Sequence, residues 1–226
     1  MDINIIQKIA IYALPVIFAI TLHEAAHGYV AKYFGDPTAY MLGRVTLNPL
    51  KHIDPIGTVI LPLAMFMLGI PPFGWAKPVP VNFNQLRNPK RDMLWVAAAG
   101  PLANLVMVIF WAFVIRLAGA LPENTFVEPM VLMGVAGIFI NIMLMVLNLF
   151  PLPPLDGGRI AVSLLPKQIA DQFSRIEPFG FFILIALLYT GVLWTVLSPF
   201  IQLSLLLLAP FSGMSSADLM RLMKII

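Results

Sequence analysis

The chain of 226 residues contains no cysteine, so disulfides are excluded and the redox compartment is unspecified. Charge is scarce as well: 11% of residues are Asp, Glu, Lys or Arg, against about 25% in an ordinary soluble domain. Histidine occurs three times. No basic patch interleaved with aromatics is present, which argues against a nucleic-acid partner. Internal repeats, low-complexity tracts and linkers are missing, and the chain reads as a single domain over 1–226, with a core at 4–160 and a C-terminal helical region at 178–226. The net charge of +3 looks like loop charge.

What fills the chain is apolar sequence, 60% hydrophobic with a mean hydropathy of +0.90. Residues 9–22, 55–76, 93–115, 129–155 and 178–217 carry no charge at all. A membrane-crossing helix needs about 20 such residues, so the fold expected is an all-α polytopic membrane protein. The first apolar run is not read as a cleaved signal, because it continues into His23 and Glu24 without a small-residue cleavage site. Helices are expected over 4–31, 93–118 and 127–150, the last two joined by a turn with Glu123 and Glu128. The final uncharged run has 40 residues, about 60 Å as helix, and is expected to break at Ser198-Pro199. A polar loop is expected from 160 to about 177. "PPFGWAKPVPVN" at 71–82 holds four prolines and reads as extended chain.

One helix carries His23-Glu24-x-x-His27. Residues four apart share a helix face, so the two imidazoles can aim at one point. Two histidines with a neighbouring glutamate is a zinc-hydrolase arrangement, in which the metal acidifies water and Glu24 takes its proton. Polar side chains inside a span are costly and mark function. A third ligand is needed. His52, beside Lys51 and Asp54 in a polar loop, reads as solvated. Asp156 stands out, following an uncharged run in "PLPPLDGG"; the lesser alternative is a cap for the next helix.

Three stretches together, His23-Glu24-x-x-His27, "GPLAN" at 100–104 and "NLFPLPPLDGG" at 148–158, resemble the site-2 protease family of intramembrane zinc metalloproteases. "GRVTLNPLKHIDPIGT" and "FGWAKPVPVN" resemble its short members without a PDZ domain. The resemblance implies that His23, His27 and Asp156 bind one Zn²⁺ and that Glu24 is the general base. It also implies that Asn148 and Asn104 contact the substrate or stabilise the transition state, though Asn104 could instead satisfy carbonyls freed by Pro101. The implied substrate is a transmembrane protein or peptide in the lipid bilayer. Substrate screening by this chain alone is hard to see, which leaves room for a presenting partner protein. A rival reading is a membrane metal-ion transporter or inactive scaffold, for which Glu24 would be superfluous.

Three ligands of one ion share one depth, so the helices ending near His27 and Asp156 must run the same way. Residues 53–82 then enter and leave on one side, as a re-entrant extended segment turning near Gly69-Ile70-Pro71-Pro72 within the helical bundle. Under that topology ten cations lie on the active-site side and at most four on the other; a fifth span would divide them eight to six. Positive residues favour the cytoplasm, which predicts a multi-pass protein of the cell membrane with its site towards the cytoplasmic face. "FGWAKPVPV" is the candidate edge for pairing with an unwound substrate, or else a plug for the re-entrant turn.

Overall fold

Asn4 opens the first helix through a reciprocal cap: its side chain accepts from the Gln7 amide and the Gln7 side chain accepts from the Asn4 amide, both at 2.9 Å. The computed structural model describes residues 3–67, 74, 76–122 and 124–226. Helix α1, Ile5–Tyr33, is 29 residues long, about 44 Å, and crosses an apolar layer of about 30 Å. It bears exposed apolar side chains over its first half, Ile5, Ile6, Ile9, Leu14, Ile17 and Phe18, as a lipid-facing helix should.

The chain turns at Gly35, whose φ of +111° only glycine adopts without strain. It returns to the same place: the Arg87 amide donates to the Phe34 carbonyl at 3.0 Å. Residues 35–88 therefore leave and rejoin one end of the bundle. The segment holds a short helix α2 (Thr38–Met41), a π-helical stretch at Pro55–Ile60 capped by Asp54, and α3 (Leu61–Met67). Residues 76–82 belong to no helix or strand. The expected turn at Gly69-Ile70-Pro71-Pro72, like Trp75 and Glu123, lies outside the described residues.

Helix α4, Pro89–Ala120, and α5, Val127–Asn148, form the main packing pair. Glycines on α5 let the backbones approach: a Cβ on Gly137 would stand 2.3 Å from Trp111 Cγ, and one on Gly134 2.4 Å from an Ile115 side-chain carbon. Small residues serve membrane helix pairs in this way because lipid supplies no hydrophobic push between helices. The chain then turns through 149–155 into α6, Asp156–Leu164, followed by α7, Lys167–Ser174.

These two helices replace the polar loop expected up to 177. In α7 the apolar Ile169, Ala170 and Phe173 lie on one side with Lys167, Gln168, Asp171 and Gln172 around them. A short amphipathic helix is easily mistaken for a loop when composition is averaged over a window. Helix α8, Glu177–Tyr189, bends from α7 by 64°. Helix α9, Val192–Leu208, continues as a 3₁₀ turn through Ala209–Ser212, and α10, Ser216–Met223, closes the chain.

The last apolar run is broken at Gly191, not at Ser198-Pro199. Gly191 takes a left-handed φ of +73°, ending one helix and starting the next. Pro199 sits inside α9, where its missing N–H leaves the Thr195 carbonyl short of a donor. The Ser198 hydroxyl lies 3.5 Å from that carbonyl, and the helix runs on through the proline.

Among the described residues, four helices are long and apolar enough to cross a membrane: Ile5–Tyr33, Pro89–Ala120, Val127–Asn148 and Val192–Ser212. No strand occurs among the described residues. The protein is an all-α polytopic membrane protein. Ile3, Leu222 and Ile225 line one apolar cavity with Glu128 and Val131 at the start of α5, which puts the tail at the same end as the amino terminus.

Candidate metal centre

Helix α1 carries His23 and His27 one turn apart near its C-terminal half, and the α5–α6 turn delivers Asp156 to them. The Nε2 atoms of His23 and His27 stand 3.1 Å apart. Asp156 Oδ2 lies 3.2 Å from the first and 3.3 Å from the second. All three are close to fully buried, and they are the one group among the described residues able to hold a metal ion.

Their outer contacts determine what faces inward. His27 Nδ1 lies 2.7 Å from the Val96 carbonyl. A carbonyl only accepts, so Nδ1 carries the proton and Nε2 is left with its lone pair. His23 Nδ1 lies 2.6 Å from Asn104 Oδ1, with the same consequence. Asp156 Oδ2 is buried without a hydrogen-bond partner.

Three acceptors turned on one point repel one another, and a cation is the partner that satisfies all of them. Ligand atoms at about 2.0–2.1 Å from a tetrahedral zinc ion stand about 3.3 Å apart. The observed edges of 3.1–3.3 Å therefore fit zinc. The imidazole-and-carboxylate donor set is also one that zinc accepts.

Gly100 makes this convergence possible. A Cβ there would lie 2.5 Å from His23 Cε1 and 2.5 Å from His27 Nε2, so α4 can back onto both rings only through a residue without a side chain. Gly157 and Gly158 do the same for the Asp156 turn, where a Cβ would come within 2.2 Å of the Leu149 carbonyl and 2.3 Å of the Pro153 nitrogen.

A cavity of about 380 Å³ opens onto the cluster. Glu24, Val79, Asn148 and Arg159 line it together with the three candidate ligands. Glu24 Oε2 accepts from the Val79 amide at 2.7 Å. The segment around Val79 is tied down on both sides of that contact: the Lys77 amide donates to the His52 carbonyl at 2.9 Å, Arg44 to the Lys77 carbonyl at 2.9 Å, and the Asn82 amide to Asp36 at 2.6 Å.

Asn148 faces the cavity and donates one Nδ2 hydrogen to the Leu144 carbonyl at 2.9 Å. Asn104 does not line it. Fully buried behind His23, it also donates from Nδ2 to Asn141 at 2.9 Å and to the Ala19 carbonyl at 3.3 Å. The carbonyl it meets is on α1, not one freed by Pro101 on its own helix.

His52 is not solvated: it is 2% exposed, and its Nε2 donates to the Thr46 carbonyl at 3.0 Å. Later chain lies against it, since the Lys77 amide donates to the His52 carbonyl. Residues that the motif reading passed over are Gly100, the Val96 carbonyl and Asn141. The glycine lay in plain view in "GPLAN", but nothing local says what it faces.

The model of peptidase family M50 matches residues 119–190, a span that includes Asn148 and Asp156. The chain is 37% identical over 192 residues to a Bacillus subtilis protein named "Putative zinc metalloprotease YwhC", covering 82% of this chain and 84% of that one. It is 30% identical over 178 residues to a Mycolicibacterium smegmatis protein named "Putative zinc metalloprotease Rip2", covering 78% of this chain and 66% of that one. No solved structure matches the chain. The chain belongs to peptidase family M50, the site-2 protease family, and is a membrane-embedded zinc metalloprotease.

Proposed function

We propose that this chain is an endopeptidase that hydrolyses peptide bonds in or near transmembrane segments of membrane proteins, with one zinc ion held by His23, His27 and Asp156. The observation that carries the reading is the near-equilateral triangle of three lone-pair atoms opening on a cavity that also holds Glu24 and Asn148. A zinc ion held there supplies a Lewis acid that polarises the scissile carbonyl and lowers the pKa of water towards about 7.

The chain's own groups do the rest. Glu24 is anchored through Oε2 by the Val79 amide, which leaves Oε1 to take a proton from water and return it to the leaving amine. Asn148 spends one Nδ2 hydrogen on Leu144; its second N–H and its Oδ1 are available to the substrate's peptide group, where a donor opposes the charge growing on the carbonyl oxygen. Asn104 acts through His23, as a positioning residue. Residues 76–82 give the cavity an extended wall. A transmembrane helix hides its carbonyls in its own hydrogen bonds, so it must unwind before attack, and an extended wall offers the freed backbone a partner.

The site faces the cytoplasm on this reading, and the membrane is the cell membrane. The tail shares the amino-terminal end, so Lys8, Arg116, Arg221 and Lys224 oppose ten cations at the site's end. One membrane-embedded protease domain accounts for residues 1–226, and a partner protein presents substrates to it.

The test is Glu24→Gln in the full chain, read by zinc content and by cleavage of a model membrane substrate. Zinc is retained and cleavage falls by about 10²–10⁴-fold or more. Undiminished cleavage removes Glu24 as the base.

A further inference from the structure

We propose that Asn141, which touches neither the cavity nor any candidate ligand, sets which nitrogen of His23 is free to bind metal. The inference rests on the reading of His23 as a zinc ligand.

Asn141 lies in the middle of α5 with no solvent exposure. Its Nδ2 stands 2.8 Å from the Gly137 carbonyl. A carbonyl cannot donate, so the amide's nitrogen must be on that side. Oδ1 is thereby turned towards α4, where it accepts from Asn104 Nδ2 at 2.9 Å. The Asn104 amide is then oriented in turn, with Oδ1 facing His23 Nδ1 at 2.6 Å. That nitrogen must carry the proton, and Nε2 points its lone pair at His27 and Asp156. A fixed backbone carbonyl thus specifies an imidazole tautomer through two side-chain amides.

Among the described residues, one other contact resists a flip of Asn104: a long hydrogen bond from Nδ2 to the Ala19 carbonyl at 3.3 Å, weaker than one of usual length. Without the Asn141 acceptor, the flipped amide presents Nδ2 to His23 Nδ1. The ring proton then moves to Nε2, where it blocks the metal. His27 has no such dependence, because its Nδ1 faces the Val96 main-chain carbonyl directly, and a carbonyl in a helix cannot turn round. The two histidines of one motif are held by different means, one by main chain and one by a relay.

A polar bond between membrane helices can also be simple glue. Glue would alter the stability of the α4–α5 pair and leave the His23 tautomer alone. Asn141→Leu removes the acceptor at similar volume. Asn141→Asp keeps an oxygen facing Asn104 and, protonated in that buried position, a donor to Gly137.

Zinc affinity is measured on the full chain by chelator competition, and the histidine tautomers of the metal-free chain by nitrogen-15 NMR. N141L is expected to weaken zinc about 10–100-fold, the usual effect of losing a ligand's own outer hydrogen-bond partner, because the flipped Asn104 no longer accepts from His23, and to move His23 towards the Nε2–H form with His27 unchanged. N141D is expected to stay within a few-fold of the natural chain. Asn141→Ala carries the same expectations as N141L should that variant not fold. Natural affinity and tautomer in N141L or N141A overturn the proposal, as does an N141D that binds zinc no better than N141L. His23→Ala serves as the reference: zinc retained there would sink the reading of His23 as a ligand, not this inference alone.

Discussion

Glu24 and Val79, 55 residues apart in sequence, are joined by a 2.7 Å hydrogen bond from the Val79 amide to Glu24 Oε2. The candidate base is therefore positioned by the backbone of the segment around Val79, not by its own helix. Val79→Pro deletes the donor in a segment already flanked by Pro78 and Pro80. A hydrogen bond to a charged group contributes about 1.5–3 kcal/mol. Steady-state kinetics should show kcat lower by roughly tenfold or more, with zinc content unchanged. A variant with natural kcat would mean that Glu24 needs no such anchor.

Two glycines of the same helix should behave in opposite ways. Gly100→Ala would push a methyl group to 2.5 Å from both imidazoles, whereas a Cβ on Gly119 meets nothing within 4 Å. Gly100→Ala is expected to lose zinc binding and to cost about 1–3 kcal/mol through overpacking. Gly119→Ala should keep zinc and gain about 0.5–1 kcal/mol from helix propensity. Elemental analysis and thermal unfolding in detergent read both quantities.

Removing the metal should separate folding from activity. The helices are held by buried contacts such as Ile138, Ile142 and Trp111 in one apolar core that includes none of the three candidate ligands. Chelation is expected to abolish cleavage while leaving the helical circular dichroism intact, and added zinc should restore activity. Asp156→Asn, which takes the charge from the third ligand, should weaken zinc by more than the roughly 10–100-fold of a residue one step behind. Helix loss on chelation would instead make the ion a structural one.

The topology can be read directly, because the natural chain has no cysteine to interfere. Single cysteines in place of Lys8 and Lys224 should react with an impermeant thiol reagent from one side of the membrane. Cysteines in place of Lys51 and Lys167 should react from the other, cytoplasmic side. Labelling of positions 8 and 224 from opposite sides would contradict the shared cavity of Ile3, Leu222 and Ile225.

Much of the fold was legible because a bilayer imposes a simple rule: a span must be long and almost uncharged. Helices α1, α4 and α5 obey it and were expected close to where they lie. The misjudged pieces are those where a local signal met a compensation. Pro199 is normally a helix breaker but sits inside α9, with the Ser198 hydroxyl near the carbonyl it strands, while Gly191 breaks the run without a proline. His52 looked solvated beside its charged neighbours and is covered by chain that folds back over it.

The same division runs through the site. A four-residue spacing on a helix is a periodic fact, so His23, Glu24 and His27 announce themselves in one dimension, and the apolar surroundings give their polarity its meaning. No periodicity relates Gly100 to the imidazoles it backs, Asn141 to His23, or Val79 to Glu24. Those pairings exist because separate helices are pressed together until their backbones nearly touch, and contact through space leaves no mark on the spacing of residues along the chain.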